Sequence, residues 1–144
     1  MSWKAIRIGS MSEKSIIEKS IIELDDASWE AAVEKVEDLV LVMFYSPLCP
    51  HCMAMMPHFM KYAEELKGKI IFARIDVNKN PYSVERYGVM ATPTFKFFCG
   101  GRPVQEIVGE IYPTLLKKIA EDVLAYGKDC RLKSTPIDYY AGYA

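Results

Sequence analysis

Residues 39–60, LVLVMFYSPLCPHCMAMMPHFM, contain no Asp, Glu, Lys or Arg. A stretch of that length could span a bilayer as one helix. It is interrupted, however, by Pro47, Pro50 and Pro57, and it carries Ser46, His51, His58 and two cysteines. In lipid such a segment would leave backbone groups unsatisfied unless protein covered them. The run divides better into three parts of a folded domain, and no membrane association is expected. Leu39–Tyr45 is apolar on both alternating sets of positions, which predicts a strand covered on both faces of its sheet. Pro47 ends it. Pro50 suits the first turn of a helix, where its missing N–H costs nothing. That helix is expected to reach about Leu66 with a kink at Pro57, and Gly68 closes it.

The flanking sequence repeats this alternation. Ile21–Leu24 is a short apolar run, and Asp25-Asp26-Ala27-Ser28 supplies cap chemistry for a helix over residues 29–36. Residues 70–77 (IIFARIDV) read as a strand, followed by the turn-rich Asn78-Lys79-Asn80-Pro81 and a short helix to about Tyr87. Thr94–Cys99 and residues 103–108 flank Gly100-Gly101, a hairpin signal. Pro113 opens a last helix with Leu115, Leu116, Ile119, Val123 and Leu124 roughly on one face, expected to end at Gly127. This order predicts an α/β fold: a central mixed sheet of four to five strands with helices on both faces. The expected layout is an N-terminal extension (1–20), one domain (21–126) and a C-terminal tail (127–144).

Composition narrows the function. A chain of 144 residues that is 51% hydrophobic and 26% charged is neither disordered nor long enough for two full domains. Its 18 basic and 19 acidic residues leave a net charge of -1, which gives no electrostatic case for nucleic acid. Residues 1–20 carry Lys4, Arg7, Glu13, Lys14, Glu18 and Lys19 and lack an apolar targeting core, so a cytoplasmic location is expected. Four cysteines are too few for a disulfide scaffold, so each needs its own explanation.

Cys49-Pro50-His51-Cys52 lies where the buried strand hands over to a helix. This spacing puts Cys49 at the helix N-terminus and Cys52 one turn along, close enough to bridge. Unpaired N–H groups and the positive end of the helix dipole stabilise a thiolate there, and His51 adds to this if protonated or donating a hydrogen bond. Cys49 is therefore the expected nucleophile and Cys52 the resolving thiol. A zinc half-site is the competing reading, but zinc needs four ligands and Cys99 and Cys130 stand alone; no metal is expected. His58 reads as a helix-surface residue.

With these residues in place, the segment from about Ile21 to Val123 resembles the thioredoxin superfamily. Residues 44–52, FYSPLCPHC, are similar to the active-site run of thioredoxins and, in the Tyr-x-Pro approach, of protein disulfide isomerases. Pro57 matches the family's helix-kinking proline, Ala91-Thr92-Pro93-Thr94 its cis-proline loop, and Gly100-Gly101 and Gly109 its hairpin and late glycines. The resemblance implies a thioredoxin fold and a thiol–disulfide oxidoreductase acting on protein disulfides, with Cys49, Pro50, His51 and Cys52 as the catalytic group. It implies a substrate groove of Leu48, Ala91, Thr92, Pro93 and Val108, with Met53 and Met90 as an apolar rim. It also implies recycling by a thioredoxin-reductase-type flavoprotein, no bound cofactor, and a monomer. The alternative is a non-catalytic binding module that uses the same groove to hold a protein partner. Both cysteines are present, which favours the enzyme.

Two departures from the family stand out. The dipeptide between the cysteines is Pro-His, as in periplasmic disulfide oxidases, which implies a potential in the window of about -150 to -240 mV. The buried carboxylate six residues before the first cysteine is replaced by Met43, and Arg74 stands at the position of its usual lysine partner. In the implied fold Cys99 and Cys130 come to the same end of the sheet, so a bridge between them is geometrically open. Two unpaired thiols are nevertheless expected in a reducing cytoplasm.

Overall fold

The computed structural model describes residues 20–130, with side chains through residue 125. The expected extension and tail lie largely outside the described residues. Five strands form one mixed sheet: β1 (Ile21–Leu24), β2 (Leu39–Tyr45), β3 (Ile71–Asp76), β4 (Thr94–Cys99) and β5 (Arg102–Val108), in the order β1-β3-β2-β4-β5. The three helices are α1 (Pro50–Glu65), α2 (Pro81–Arg86) and α3 (Pro113–Cys130). β3 runs parallel to both β1 and β2, whereas β4 runs antiparallel to β2 and β5 to β4. This is the thioredoxin fold.

β2 is buried at all seven positions, as its uninterrupted apolar sequence requires. Alternate residues of the strand feed two separate cores. Leu39, Leu41, Met43 and Tyr45 pack with Cys52, Met55, Met56 and Phe59 of α1 and with Leu116 and Ala120 of α3. Val40, Val42 and Phe44 face the other way, onto Trp29, Val33 and Phe98, with Tyr87 beside them. Trp29 anchors this second core: its indole N–H donates to the Tyr87 hydroxyl at 3.0 Å, and its ring meets Phe98 edge-on.

Four local expectations are corrected. The segment after Ser28 is a single π-helical turn, Glu30–Glu34, closed by Lys35 N–H donating to the Glu30 carbonyl five residues back. Of the two acidic residues before it, Asp25 accepts from Ser28 N–H at 2.7 Å, but Asp26 reaches across the chain and accepts from the backbone of Tyr82 and Ser83 at the start of α2. The last helix runs through Gly127 to Cys130. A helical glycine costs only about 1 kcal/mol against alanine, so it does not force an end. Finally, Cys99 is 1% exposed and disulfide-bonded, contrary to the expectation of a free thiol, while Cys49 and Cys52 are free. The side chain of Cys130 lies outside the described residues.

The β4–β5 hairpin shows why its glycines are needed. Gly100 and Gly101 have φ of 62° and 83°, the left-handed region that a two-residue hairpin turn demands. A side chain at Gly100 would meet open space, whereas one at Gly101 would run into the backbone of Glu34. Pro103 is tolerated because β5 is an edge strand, and the register slips beside it, between Phe97 and Phe98 of the partner strand. Gly100→Ala should therefore cost about 1 kcal/mol from backbone strain alone. Gly101→Ala should cost more, roughly 2–4 kcal/mol, because the clash adds to that strain. Urea denaturation of both variants checks this; equal losses would contradict the packing of Gly101 against the π-helical turn.

Candidate active site

β2 delivers the chain to the carboxyl end of the sheet, and the turn at Ser46–Leu48 feeds it into α1. Cys49 N–H donates to the Ser46 carbonyl at 3.0 Å, and Leu48 N–H to the Ser46 hydroxyl at 3.1 Å. These bonds put Cys49 at the N-cap of α1, with an extended backbone (φ −94°, ψ 114°), and Pro50 at the first helical position. The capping acceptor is the sulfur itself: Cys52 N–H donates to Cys49 Sγ at 3.2 Å. The thiol of Cys49 lies 3.6 Å from the Thr92 carbonyl, beside the cis Thr92–Pro93 peptide bond. The structure thus brings Cys49, Pro50, His51, Cys52, Thr92 and Pro93 together.

The two cysteines experience different surroundings. Burial pushes the Cys49 thiol up, but the bond with Cys52, the contact with Thr92 and the N–H groups of Cys52 and His51 outweigh it, leaving Cys49 below the ordinary thiol value. Cys52 is fully buried. Burial and then its hydrogen bond with Cys49 push its thiol up to about 11. One sulfur is prepared to attack as a thiolate and the other is held protonated beneath it.

The His51 ring is held by a loop distant in sequence. Its Nδ1 lies 2.7 Å from Glu110 Oε1, on the loop between β5 and α3. Nothing in the sequence marks Glu110 as a partner, because the contact joins residues far apart in the chain through a loop without periodicity. His58 is exposed on α1 and lines a groove with Ala54, Met55, Glu110, Tyr112 and Leu115. The groove residues expected around the cysteines are largely accessible. Leu48 is 85% and Val108 59% exposed, Ala91 is exposed, Thr92 is half-buried, and Pro93 is buried. Met90 at 93% and Tyr112 at 81% extend this apolar surface.

Beneath the pair, Met43 is completely buried. Its register neighbours form a row across the sheet: Glu23 opposite Arg74, Arg74 opposite Met43, and Met43 opposite Phe95. Arg74 is more than a solvated strand-end charge. It pairs with Glu23, lies 5.2 Å from the Tyr45 ring centroid, and places a guanidinium nitrogen 3.3 Å from the Met56 sulfur. The Tyr45 hydroxyl also donates to Glu23, at 2.9 Å. Glu23 was not anticipated as part of this set. Among the described residues, no cluster of three His, Cys, Asp or Glu could hold a metal, and no helix is long and apolar enough to cross a membrane.

Comparison with known proteins agrees with this geometry. The thioredoxin family model matches residues 20–122. A thioredoxin of Alicyclobacillus acidocaldarius is 34% identical over 101 residues, covering 70% of this chain and 95% of its own. Chloroplastic thioredoxin M4 of Arabidopsis thaliana is 32% identical over 101 residues, or 70% of this chain and 52% of its own. Human protein disulfide-isomerase A6 is 34% identical over 127 residues, covering 73% of this chain but only 29% of that protein. The chain belongs to the thioredoxin family, and its Cys49–Cys52 pair is the dithiol of a thioredoxin-family oxidoreductase.

The asymmetry between the cysteines is directly measurable. The half-maximal pH for alkylation of Cys49 should fall below the ordinary thiol value of about 8.5, and Cys52 should resist until pH approaches about 11. The stabilisation of the reduced form by the Cys49 thiolate is fully present above the ordinary thiol value and is lost as pH falls through the lowered pKa. Mass-spectrometric alkylation profiles test this, and two profiles coinciding at the ordinary value would contradict the site geometry.

Proposed function

We propose that this protein exchanges disulfides with protein substrates. The observation that carries the reading is the Cys49 sulfur, capped by the first turn of α1 at the edge of an exposed apolar surface. The Cys49 thiolate attacks a substrate disulfide, forming a Cys49–substrate bond and releasing one substrate thiolate, which takes up a proton. Cys52 then loses its proton and attacks Cys49 Sγ. That step forms the Cys49–Cys52 disulfide and releases the second substrate thiolate. Two electrons and two protons pass to the substrate, and an external dithiol or a thioredoxin-reductase-type flavoprotein returns them. Leu48, Ala91, Thr92, Pro93 and Val108 supply the surface for a substrate segment. A monomer belongs to the same proposal, as does the oxidising poise that the Pro-His dipeptide implies; in that poise the same steps run in reverse and take the two electrons from a substrate dithiol.

Trapping tests it. Cys52→Ser should accumulate mixed disulfides between Cys49 and cellular proteins, detectable on non-reducing gels and lost with Cys49→Ser. A Cys52→Ser protein that captures partners only through reduction-resistant contacts would instead favour the binding-module reading.

The second step also explains why Met43 matters. Cys52 must be deprotonated in a buried site, and a thioether cannot accept the proton. Resolution is therefore expected to be slow relative to attack. Met43→Glu should speed decay of a Cys49 mixed disulfide by roughly 10²-fold or more, the ordinary yield of a positioned base. It should also lower stability by about 1–3 kcal/mol through burial of a polar group, a loss moderated by Arg74 across the strand. Stopped-flow decay of the adduct decides; an unchanged rate in a folded variant would mean that another group already moves the proton.

A further inference from the structure

The ion pair between His51 and Glu110 has no part in the exchange steps above, yet it occupies the dipeptide between the two cysteines. The His51 imidazole projects from the first turn of α1, and its Nδ1 is 2.7 Å from Glu110 Oε1, with both side chains more than half exposed. Glu110 is itself well placed to hold the ring. The preceding Gly109, at φ 91°, donates its N–H to the Pro93 carbonyl at 2.7 Å, which ties the loop to the segment beside Cys49. His58 and Glu110 are the titratable groups lining the groove next to the pair apart from Tyr112, so no lysine or arginine there competes for the carboxylate.

His51 supports the reacting sulfur through its backbone N–H. Its N–H is among the groups that favour the Cys49 thiolate, while its ring is turned to the opposite loop. We propose that Glu110 is a positioning residue for the dithiol: it holds the His51 imidazole on the β5–α3 loop and keeps that ring's N–H from Cys49 Sγ. The inference rests on the disulfide-exchange reading and adds the group that sets how strongly the thiolate is held. With the carboxylate in place, the ring is held on the β5–α3 loop by its contact with Glu110. Without it, the ring is free to turn toward the sulfur.

The test uses Glu110→Gln, which keeps the shape and an amide oxygen for Nδ1 but removes the charge, and Glu110→Ala, which removes both. Each is made in the wild-type chain and with His51→Ala. The readouts are the glutathione equilibrium of the Cys49–Cys52 couple and the pH dependence of thiolate absorbance, with circular dichroism as a folding check. Glu110→Gln should shift the equilibrium toward the reduced dithiol by about two- to fivefold, the scale of an exposed ion pair. It should lower the pH at which the Cys49 thiolate appears, and Glu110→Ala should shift both at least as far. With His51→Ala the shift should shrink to less than half. An unchanged equilibrium, or one moved toward the disulfide, would overturn the proposal. So would an equal shift in the His51→Ala background, since Glu110 would then act on the sulfur directly. A wild-type protein that does not exchange with glutathione at all would overturn the disulfide-exchange reading itself, a distinct result from exchange without the Glu110 effect.

Discussion

The hydrogen bond from Cys52 N–H to Cys49 Sγ is the contact on which the rest of the site depends. It exists because a sulfur has taken the place of the oxygen that usually caps a helix. Pro50 at the first helical position has no N–H to offer, so the donors of the first turn that remain for the sulfur are those of His51 and Cys52. Both favour the Cys49 thiolate. The sheet fixes where this cap sits. β2 is paired on both sides and buried throughout, so its carboxyl end cannot shift without disturbing both cores.

Below the cap, the electrostatics of the site are rearranged across the strands. Glu23, Arg74 and Met43 occupy successive places in one row, on β1, β3 and β2. The carboxylate that pairs with Arg74 therefore comes from β1, two strands away from position 43 on β2. Two consequences follow. Arg74 is neutralised at the sheet edge, where its partner is half exposed, and its guanidinium is left to rest on Met56 and Tyr45. Cys52, fully buried and raised to about 11, is left with an apolar floor. The two thiols are thereby governed by different parts of the molecule, the helix terminus for Cys49 and the sheet row for Cys52.

Most of this architecture is legible in the chain because it is written in local terms. LVLVMFY carries its own two-sided burial, Gly100-Gly101 carries its turn, and Cys49-Pro50 carries both the helix start and its capping sulfur. What escapes is set by contacts between distant segments. Asp26 reads as a cap for the residues that follow it, yet it bonds to Ser83 because the loop after β1 is drawn against α2. Gly127 reads as a stop, but continued helical bonding outweighs a single glycine. Glu110 and Glu23 carry no periodic or motif signature at all. They matter because the fold places one opposite His51 and the other opposite Arg74.

The Pro-His dipeptide then acquires a physical reading that its letters do not contain. Proline acts through the donor it lacks, and histidine through the backbone donor it has. Neither effect requires the imidazole to approach the sulfur. The ring's influence is assigned elsewhere, to a carboxylate on a loop that is bonded to the Pro93 carbonyl. That loop is joined to the Pro93 carbonyl by one hydrogen bond of 2.7 Å from Gly109 N–H and to the first turn of α1 by a contact of the same length between His51 and Glu110. In the proposed exchange, a substrate segment laid over Leu48 and Val108 approaches Cys49 beside these contacts, and any movement of the β5–α3 loop displaces the partner of His51.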